Sequence, residues 1–180
     1  MLELFFAALV ALVLLWSLVG PLFRKQKRRK PDRLRRRRHA RAEEAGPPAN
    51  AIVVDGSNVM HWGGEPSARV LSQVLRGLEK AGKAPIVFFD ANVGYVLGDH
   101  YFNEARLSDI TGLPARHICV VPKGMTADEA LLGFAEHHSL RIISNDRYRD
   151  WRVRFPYLEK KGVMLRGDYK SGNVVWRGKL

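Results

Sequence analysis

Along residues 50–180, short runs of apolar residues alternate with longer stretches of helical periodicity. The apolar runs are rich in Val and Ile, which is typical of buried strands. In the longer stretches, apolar side chains recur three and four positions apart, which indicates amphipathic helices. These patterns predict strands at 51–55, 85–90, 117–121 and 141–144, and helices at 66–81, around 100–107, at 126–138 and over at least part of 146–161.

The predicted strands are continuous apolar runs and do not alternate between apolar and polar residues. This pattern favours an α/β fold in which helices cover both faces of a parallel sheet. A terminal pair of strands is expected at 163–165 and 174–176, around the turn sequence GDYKSG. Because ligands of such folds bind beyond the carboxyl ends of the strands, functional residues are expected at that edge.

The segment before this domain contains 20 residues, 4–23, without a charged side chain. As a helix it would be about 30 Å long, enough to cross the hydrocarbon core of a bilayer. A cleaved signal peptide is the alternative, but the acidic Glu3 precedes the apolar stretch and arginines follow it, which favours an uncleaved anchor. We therefore expect a transmembrane helix within 1–23, a basic collar and linker at 24–49, and a domain at 50–180.

Basic residues concentrate in the collar. Residues 1–49 carry 12 basic and four acidic residues, a net charge of +8, whereas the whole chain carries +12. Since Lys and Arg stay on the cytoplasmic side of a membrane, we expect a single-pass inner-membrane protein with its domain in the cytoplasm. Residues 24–41 could also bind anionic lipid or RNA, or serve only to set the topology.

Several classes of site are absent from the sequence. The single cysteine, Cys119, excludes an intramolecular disulfide framework and a multi-cysteine zinc site. There is no dinucleotide fingerprint, phosphate-binding loop or nucleophile elbow. The remaining candidates for chemistry are acidic residues.

Four carboxylates are predicted to meet at the carboxyl edge of the sheet. Asp55 and Asp90 end the first two strands, Asp128 opens the helix after the third, and Asp146 follows the fourth. Asp150 lies four residues after Asp146, on the same face if this segment is helical. Carboxylates at close quarters repel one another, and a hard cation such as Mg²⁺ offsets that repulsion. The pattern thus points to metal-dependent cleavage of phosphodiester bonds.

Each of these acids also has a purely structural interpretation. Asn145 or Asp146 could cap the last predicted helix. Asp128 is favourable in the first turn of a helix because of the helix dipole. Asp150 could form an ion pair with a neighbouring arginine.

Two sequence motifs carry a resemblance to a known family. The segment 53–59 (VVDGSNV) resembles the first motif of the NYN-type, PIN-like ribonucleases, especially the Regnase group found next to CCCH zinc fingers. The segment 142–150 (IISNDRYRD) is similar to that group's second signature, Ser-Asn-Asp-x-Tyr-Arg-Asp. The resemblance covers about residues 50–178, although no zinc finger is present.

This resemblance implies a PIN-like Rossmannoid three-layer sandwich with Mg²⁺- or Mn²⁺-dependent endoribonuclease activity on single-stranded or loop RNA. It also implies that Asp55, Asp128, Asp146 and Asp150 hold the metal and its water. Asn58 would orient Asp55 or a substrate phosphate. PIN-like domains often pair, so a homodimer is possible.

Further residues are candidates for contact with RNA. Arg147 and Arg149 follow from the residues themselves, because a basic rim beside the acids would attract a polyanion. Ser57 and Asn145 lie inside the two motifs and are further candidates for substrate binding. The group often has two consecutive acids where this chain has Asp128 and Glu129 after an alanine, so the contribution of Glu129 is open.

Two other functions remain compatible with the sequence. In one, the protein is a non-catalytic RNA- or anionic-lipid-binding membrane protein whose acids are helix caps. In the other, the chemistry is the same but the substrate is structured DNA.

Overall fold

Five parallel strands form the central sheet of the structure, which is a computed structural model that describes residues 46–180. Their order is β3-β2-β1-β4-β5, so β1 lies in the middle. The parallel sheet of an α/β fold is therefore confirmed. The strands are β1 (Ala51–Asp55), β2 (Ala84–Phe89), β3 (Ile118–Val120), β4 (Ile142–Ile143) and β5 (Met164–Leu165).

The expected anchor at 4–23 and basic collar at 24–41 lie outside the described residues. Within 46–180, no helix has both the length and the apolar character that a membrane crossing requires.

Within residues 46–180, five α-helices connect the strands, and three short 3₁₀-helices are also present. The α-helices are α1 (Gly56–Val59), α2 (Ala68–Lys80), α3 (Val93–Leu97), α4 (Glu104–Thr111) and α5 (Ala127–His137). The 3₁₀-helices are Ala115–His117, Arg149–Trp151 and Pro156–Glu159. The sequence prediction had one short helix where α3 and α4 lie.

Side-chain caps fix where two of the helices begin. The Ser67 hydroxyl accepts a hydrogen bond from the Val70 amide at the start of α2. The Thr126 hydroxyl accepts one from the Glu129 amide at the start of α5, which is the hydrogen bond expected of a Thr-x-x-Glu capping box. The Glu129 carboxylate is paired with Arg154. Glu129 is therefore held by a neighbouring arginine.

Alternate residues of the strands pack into two separate hydrophobic cores. On β1, Ile52 and Val54 belong to the core formed with α2 and α4, whereas Val53 belongs to the core formed with α5 and the segment 148–163. Because neighbouring residues of a strand point to opposite faces, the two cores lie on opposite sides of the sheet. This arrangement is the three-layer sandwich that the motifs implied.

The order of the strands also determines where a site can form. The chain passes from β1 to β2 on one side, while β4 pairs with β1 on the other side. The carboxyl ends of β1 and β4 therefore flank the point at which the sheet reverses its direction of winding. Open α/β sheets bind ligands at such a point.

Strands are present near 163–165 and 174–176 as predicted, but the predicted pairing between them is wrong. Met164–Leu165 joins the main sheet beside β4, and a separate antiparallel hairpin follows. Its strands are β6 (Gly167–Lys170) and β7 (Asn173–Trp176). Ser171 and Gly172 have φ values of 48° and 81° and form a two-residue turn, so most of the expected turn sequence is strand.

The predicted helical segment 146–161 contains only the 3₁₀-helices Arg149–Trp151 and Pro156–Glu159. An α-helix cannot pass through Tyr148, whose φ is 46°. Pro156 also lacks the amide that a continuing helix would need. Asp146 and Asp150 are therefore not one α-helical turn apart.

Candidate active site

Asp55 lies at the carboxyl end of the central strand, where the chain turns directly into α1. A Cβ atom at Gly56 would lie 2.3 Å from Cε1 of Phe89, so this turn requires glycine. The amide of Asn58 donates a hydrogen bond of 3.0 Å to Oδ1 of Asp55. The carboxylate thereby caps α1 and is fixed at the edge of the sheet.

The second oxygen of Asp55 connects the strand to β4. The hydroxyls of Ser144 and Tyr148 each donate a hydrogen bond of 2.8 Å to Oδ2. Only 4% of Asp55 is exposed, so these donors replace the water that a carboxylate would otherwise bind. Burial nevertheless raises the pKa of Asp55 above its usual value, because the hydrogen bonds do not fully offset the loss of solvent.

Tyr148 connects two of the acids. Its hydroxyl contacts Asp55, and its amide donates a 2.6 Å hydrogen bond to Oδ1 of Asp146. Its left-handed backbone conformation costs about 1–3 kcal/mol in a non-glycine residue. Burial and the charge of Asp55 raise the pKa of Tyr148, so its hydroxyl stays protonated and donates.

Asp128 reaches the same edge from the first turn of α5. Oδ2 of Asp128 accepts a hydrogen bond of 3.3 Å from Nε1 of Trp151. Burial, followed by the charges of Asp55 and Asp146, raises the pKa of Asp128 to about 6. Asp90 adds a smaller effect in the same direction, and its Oδ1 accepts a hydrogen bond from the Ala127 amide. The structure thus brings these four carboxylates into one electrostatic group.

This group fits a divalent cation by its chemistry. Neighbouring carboxylates repel one another and favour a counter-charge, and Mg²⁺ binds such hard oxygen donors while keeping several of its own waters. In the described part of the chain, no three acidic, histidine or cysteine side chains already form a set that could hold a metal ion.

Three of the other candidate residues make hydrogen bonds within the fold. Oδ1 of Asn58 accepts hydrogen bonds from Nε1 of Trp62 at 3.1 Å and from the amide of Asn145 at 2.9 Å. The Ser57 hydroxyl accepts one from the amide of Asp90 at 3.1 Å. The side chain of Asn145 is bonded to Gly167. These contacts position the two motifs against each other.

The remaining candidates, Arg147, Arg149 and Asp150, are exposed. Asp150 lies in the 3₁₀-helix Arg149–Trp151 and is not among the carboxylates that raise the pKa of Asp128. Asp150 is thus an exposed acid of the 3₁₀-helix, while Asp90 belongs to the electrostatic group around Asp128. The two arginines place positive charge beside the exposed Asp146.

Sequence reasoning missed several residues that hold the site together. Ser144 and Tyr148 lie inside the second motif, so their position between two acids was an available signal. Trp151 and Gly167 had no such signal, because each acts on a residue from another part of the chain.

The fold is similar to that of a much larger RNA-processing enzyme. Two structures of the nuclear proteinaceous RNase P 2 (PRORP2) of Arabidopsis thaliana match at 18% sequence identity, with TM-scores of 0.60 and 0.58. The matches cover 79% and 97% of this chain but only 32% and 36% of those chains. At this identity the likeness extends to the fold alone.

Comparison of the sequence with curated proteins finds no match. A family match does exist for residues 48–161, which include both motifs and all the acids of the site. The matching family is described as the Zc3h12a-like ribonuclease NYN domain. The chain therefore belongs to this family of NYN ribonuclease domains.

Proposed function

We propose that this protein is a membrane-tethered, metal-dependent endoribonuclease that cleaves single-stranded or loop RNA. The observation that carries the proposal is the convergence of Asp55, Asp128 and Asp146 in a domain of a ribonuclease family. Beside the effect of burial, the charges of Asp55 and Asp146 raise the pKa of Asp128 at the edge where α/β folds bind ligands. A metal-binding catalytic role explains why such repulsion is retained.

Mg²⁺ or Mn²⁺ would be held by Asp55 and Asp146, while Asp128 would hold the water of the cation and Asp90 lies close by. When bound, the cation would supply an activated water and offset charge at the scissile phosphate. Ser144 and Tyr148 keep Asp55 in place through their hydroxyls. Asp55 is thus held before any ligand arrives, which is the preorganisation that catalytic sites require.

Asp128 is the acid best placed to accept a proton. Trp151 occupies its Oδ2, which leaves Oδ1 available. A pKa of about 6 lies near the pH of the cytoplasm, where a general base is most effective. We therefore assign to Oδ1 of Asp128 the role of receiving the proton released by the attacking water.

RNA would reach the site through electrostatic attraction. Arg147 and Arg149 are exposed beside Asp146 and can contact backbone phosphates. The expected anchor at 4–23 would restrict the enzyme to RNA close to the inner membrane, with the domain in the cytoplasm. The collar at 24–41 would add affinity for RNA or for anionic lipid.

The test is an RNA digest with the full-length chain purified in detergent. Labelled single-stranded RNA is incubated with Mg²⁺, Mn²⁺ or EDTA, and Asp55→Asn and Asp146→Asn proteins are assayed alongside. Asp109→Asn is the matched control, because Asp109 is an exposed acid on α4 outside the site. We expect internal cleavage that EDTA and both site variants abolish and that the control retains.

Intact RNA in every condition, with a natively folded protein, would contradict the proposal and favour the non-catalytic binding protein. Cleavage of flap DNA in preference to RNA would favour the DNA nuclease. To test the tether, the anchor is replaced by an unrelated transmembrane helix or removed. Unchanged function of the anchor-free chain in cells would argue against a role for the membrane.

A further inference from the structure

The hairpin β6–β7 lies beyond residues 48–161, the part that matches the family, yet it contacts the loop that carries Asp146. Nδ2 of Asn145 donates a 2.7 Å hydrogen bond to the carbonyl of Gly167, and the Gly167 amide donates one of 3.3 Å to Oδ1 of Asn145. The two residues thus form a reciprocal pair. The residue that immediately precedes Asp146 is held by the first residue of the hairpin.

The hairpin also packs against Trp62, three residues after the first motif. A Cβ atom at Gly167 would lie 2.5 Å from Cζ3 of Trp62, so the hairpin backbone rests directly on the indole ring. Trp176 of β7 meets the same ring edge to face, with centroids 5.9 Å apart. Trp62 in turn donates its indole N–H to Asn58, and Asn58 accepts the amide of Asn145.

These contacts form a closed ring of four partners, namely Asn58, Trp62, the hairpin and Asn145. Each motif contributes one asparagine, and the hairpin joins them from outside. Within the loop itself, Asp146 is held by a hydrogen bond from its amide to the Ser144 hydroxyl and by the Tyr148 amide. Asp146 is otherwise exposed, so without the ring its position depends on a few local bonds.

We propose that the β6–β7 hairpin is a positioning clamp that fixes Asp146 relative to Asp55 by holding Asn145 and Trp62. Gly167, Trp62 and Trp176 act through other residues and do not touch substrate. The proposal rests on the proposed function for its effect on catalysis. Its structural part, the ordering of residues 145–148 by the hairpin, is independent of metal and of RNA.

The experiment uses the full-length chain and the variants Trp176→Ala, Trp176→Phe and Val175→Ala. Trp176→Ala removes the edge-to-face contact with Trp62, whereas Trp176→Phe keeps an aromatic ring there. Val175 is an exposed neighbour on the same strand, and its replacement is the matched control. Hydrogen exchange of the amides in 145–148 is followed by mass spectrometry in EDTA, and kcat and KM are measured with Mg²⁺ and RNA.

For Trp176→Ala we expect exchange in 145–148 to accelerate about tenfold while β1 and β2 stay protected, since local openings differ from global unfolding. A small displacement of a catalytic group can cost up to about a hundredfold in rate, so kcat should fall by about tenfold or more with KM for RNA little changed. Trp176→Phe should recover most of both effects. Val175→Ala should show neither.

Unchanged exchange in 145–148 would overturn the clamp, as would accelerated exchange with an unaltered kcat. A fall in kcat that Trp176→Phe does not rescue would also overturn it. If the unmodified protein does not cleave RNA, the proposed function fails, and the exchange measurement still decides whether the hairpin orders the loop.

Discussion

The β1–β4 side of the site and its α5 side hold their carboxylates in very different ways. On the first side, Asp55 is buried and accepts hydrogen bonds from Asn58, Ser144 and Tyr148. On the second side, Asp128 is only partly buried and accepts one longer hydrogen bond, from Trp151. Removing Asp55 would leave buried donors without a partner, whereas removing Asp128 would mainly relieve repulsion.

The difference separates two roles that acids of one site can have. Asp55 contributes to the fold because donors from the segments that follow β1 and β4 converge on it. The charged form of Asp128 is destabilised by burial and then by its acidic neighbours, and its pKa of about 6 reflects both effects. Four substitutions test this contrast between Asp55 and Asp128.

Replacing Asp55 by alanine should affect both stability and activity. Two buried hydroxyls and the partly buried Asn58 amide would lose their acceptor, and an unsatisfied buried group costs about 1–3 kcal/mol, so the free energy of unfolding should fall by about 3 kcal/mol or more. Asp146→Ala loses one bond on an exposed side chain and should cost only about 1 kcal/mol. Urea denaturation measures both, and RNA cleavage should be lost in both. Equal losses of stability would contradict the contrast.

Asp128→Asn should stabilise the metal-free protein at neutral pH while abolishing cleavage. The folded-state pKa of Asp128 lies above its usual value of 3.8, so its favourable contribution to stability is complete at low pH and is lost as the pH rises through about 6. The asparagine avoids that loss and still accepts from Trp151. The gain should be about 2 kcal/mol at pH 8, after allowance for partial exposure, and near zero at pH 4.

Thermal unfolding in EDTA at the two pH values tests this prediction for Asp128. Added Mg²⁺ should reverse the order of stability, because only the unmodified protein gains from binding the cation. A less stable Asp128→Asn protein at pH 8 would show that Asp128 supports the fold as Asp55 does.

Asp150→Asn should reduce activity less than Asp146→Asn. Asp150 is exposed and lies outside the electrostatic group, so we expect a loss of about tenfold in kcat/KM, through a longer-range effect on charge. Asp146→Asn should bring cleavage to the background level. Single-turnover cleavage at saturating Mg²⁺ distinguishes them. Equal losses would support the prediction from sequence that Asp150 is a direct metal ligand.

Trp151→Phe should have the smallest effect. It removes the indole N–H whose hydrogen bond lowers the pKa of Asp128, so that pKa should rise. A general base works only when unprotonated, so activity falls as the pH decreases through its pKa. The acid limb of the pH–rate profile should therefore move to higher pH, with about a threefold loss near pH 6 and little change at pH 8. An unshifted profile would exclude Asp128 as the base.

The positions of the strands and the edge of the sheet that carries the acids could be predicted from the sequence alone. Continuous apolar runs predicted the first strands closely because burial on both faces of a parallel sheet leaves little room for polar residues. The acids that follow those runs were predicted to meet at one edge, and Asp55, Asp90, Asp128 and Asp146 do influence one another there. Both the apolar runs and the acids after them are local features of the chain, so the sequence contains them directly.

The hydrogen bonds that fix the acids in place could be identified only from the tertiary structure. Ser144 and Tyr148 reach Asp55 across 89 and 93 residues, and Gly167 reaches Asn145 across 22. The left-handed conformation of Tyr148 prevents the expected α-helix. The helical spacing that placed Asp150 beside Asp146 therefore does not apply. Such contacts depend on which strands become neighbours and on where the backbone can tolerate strain. Neither property follows from the order of residues in any one segment.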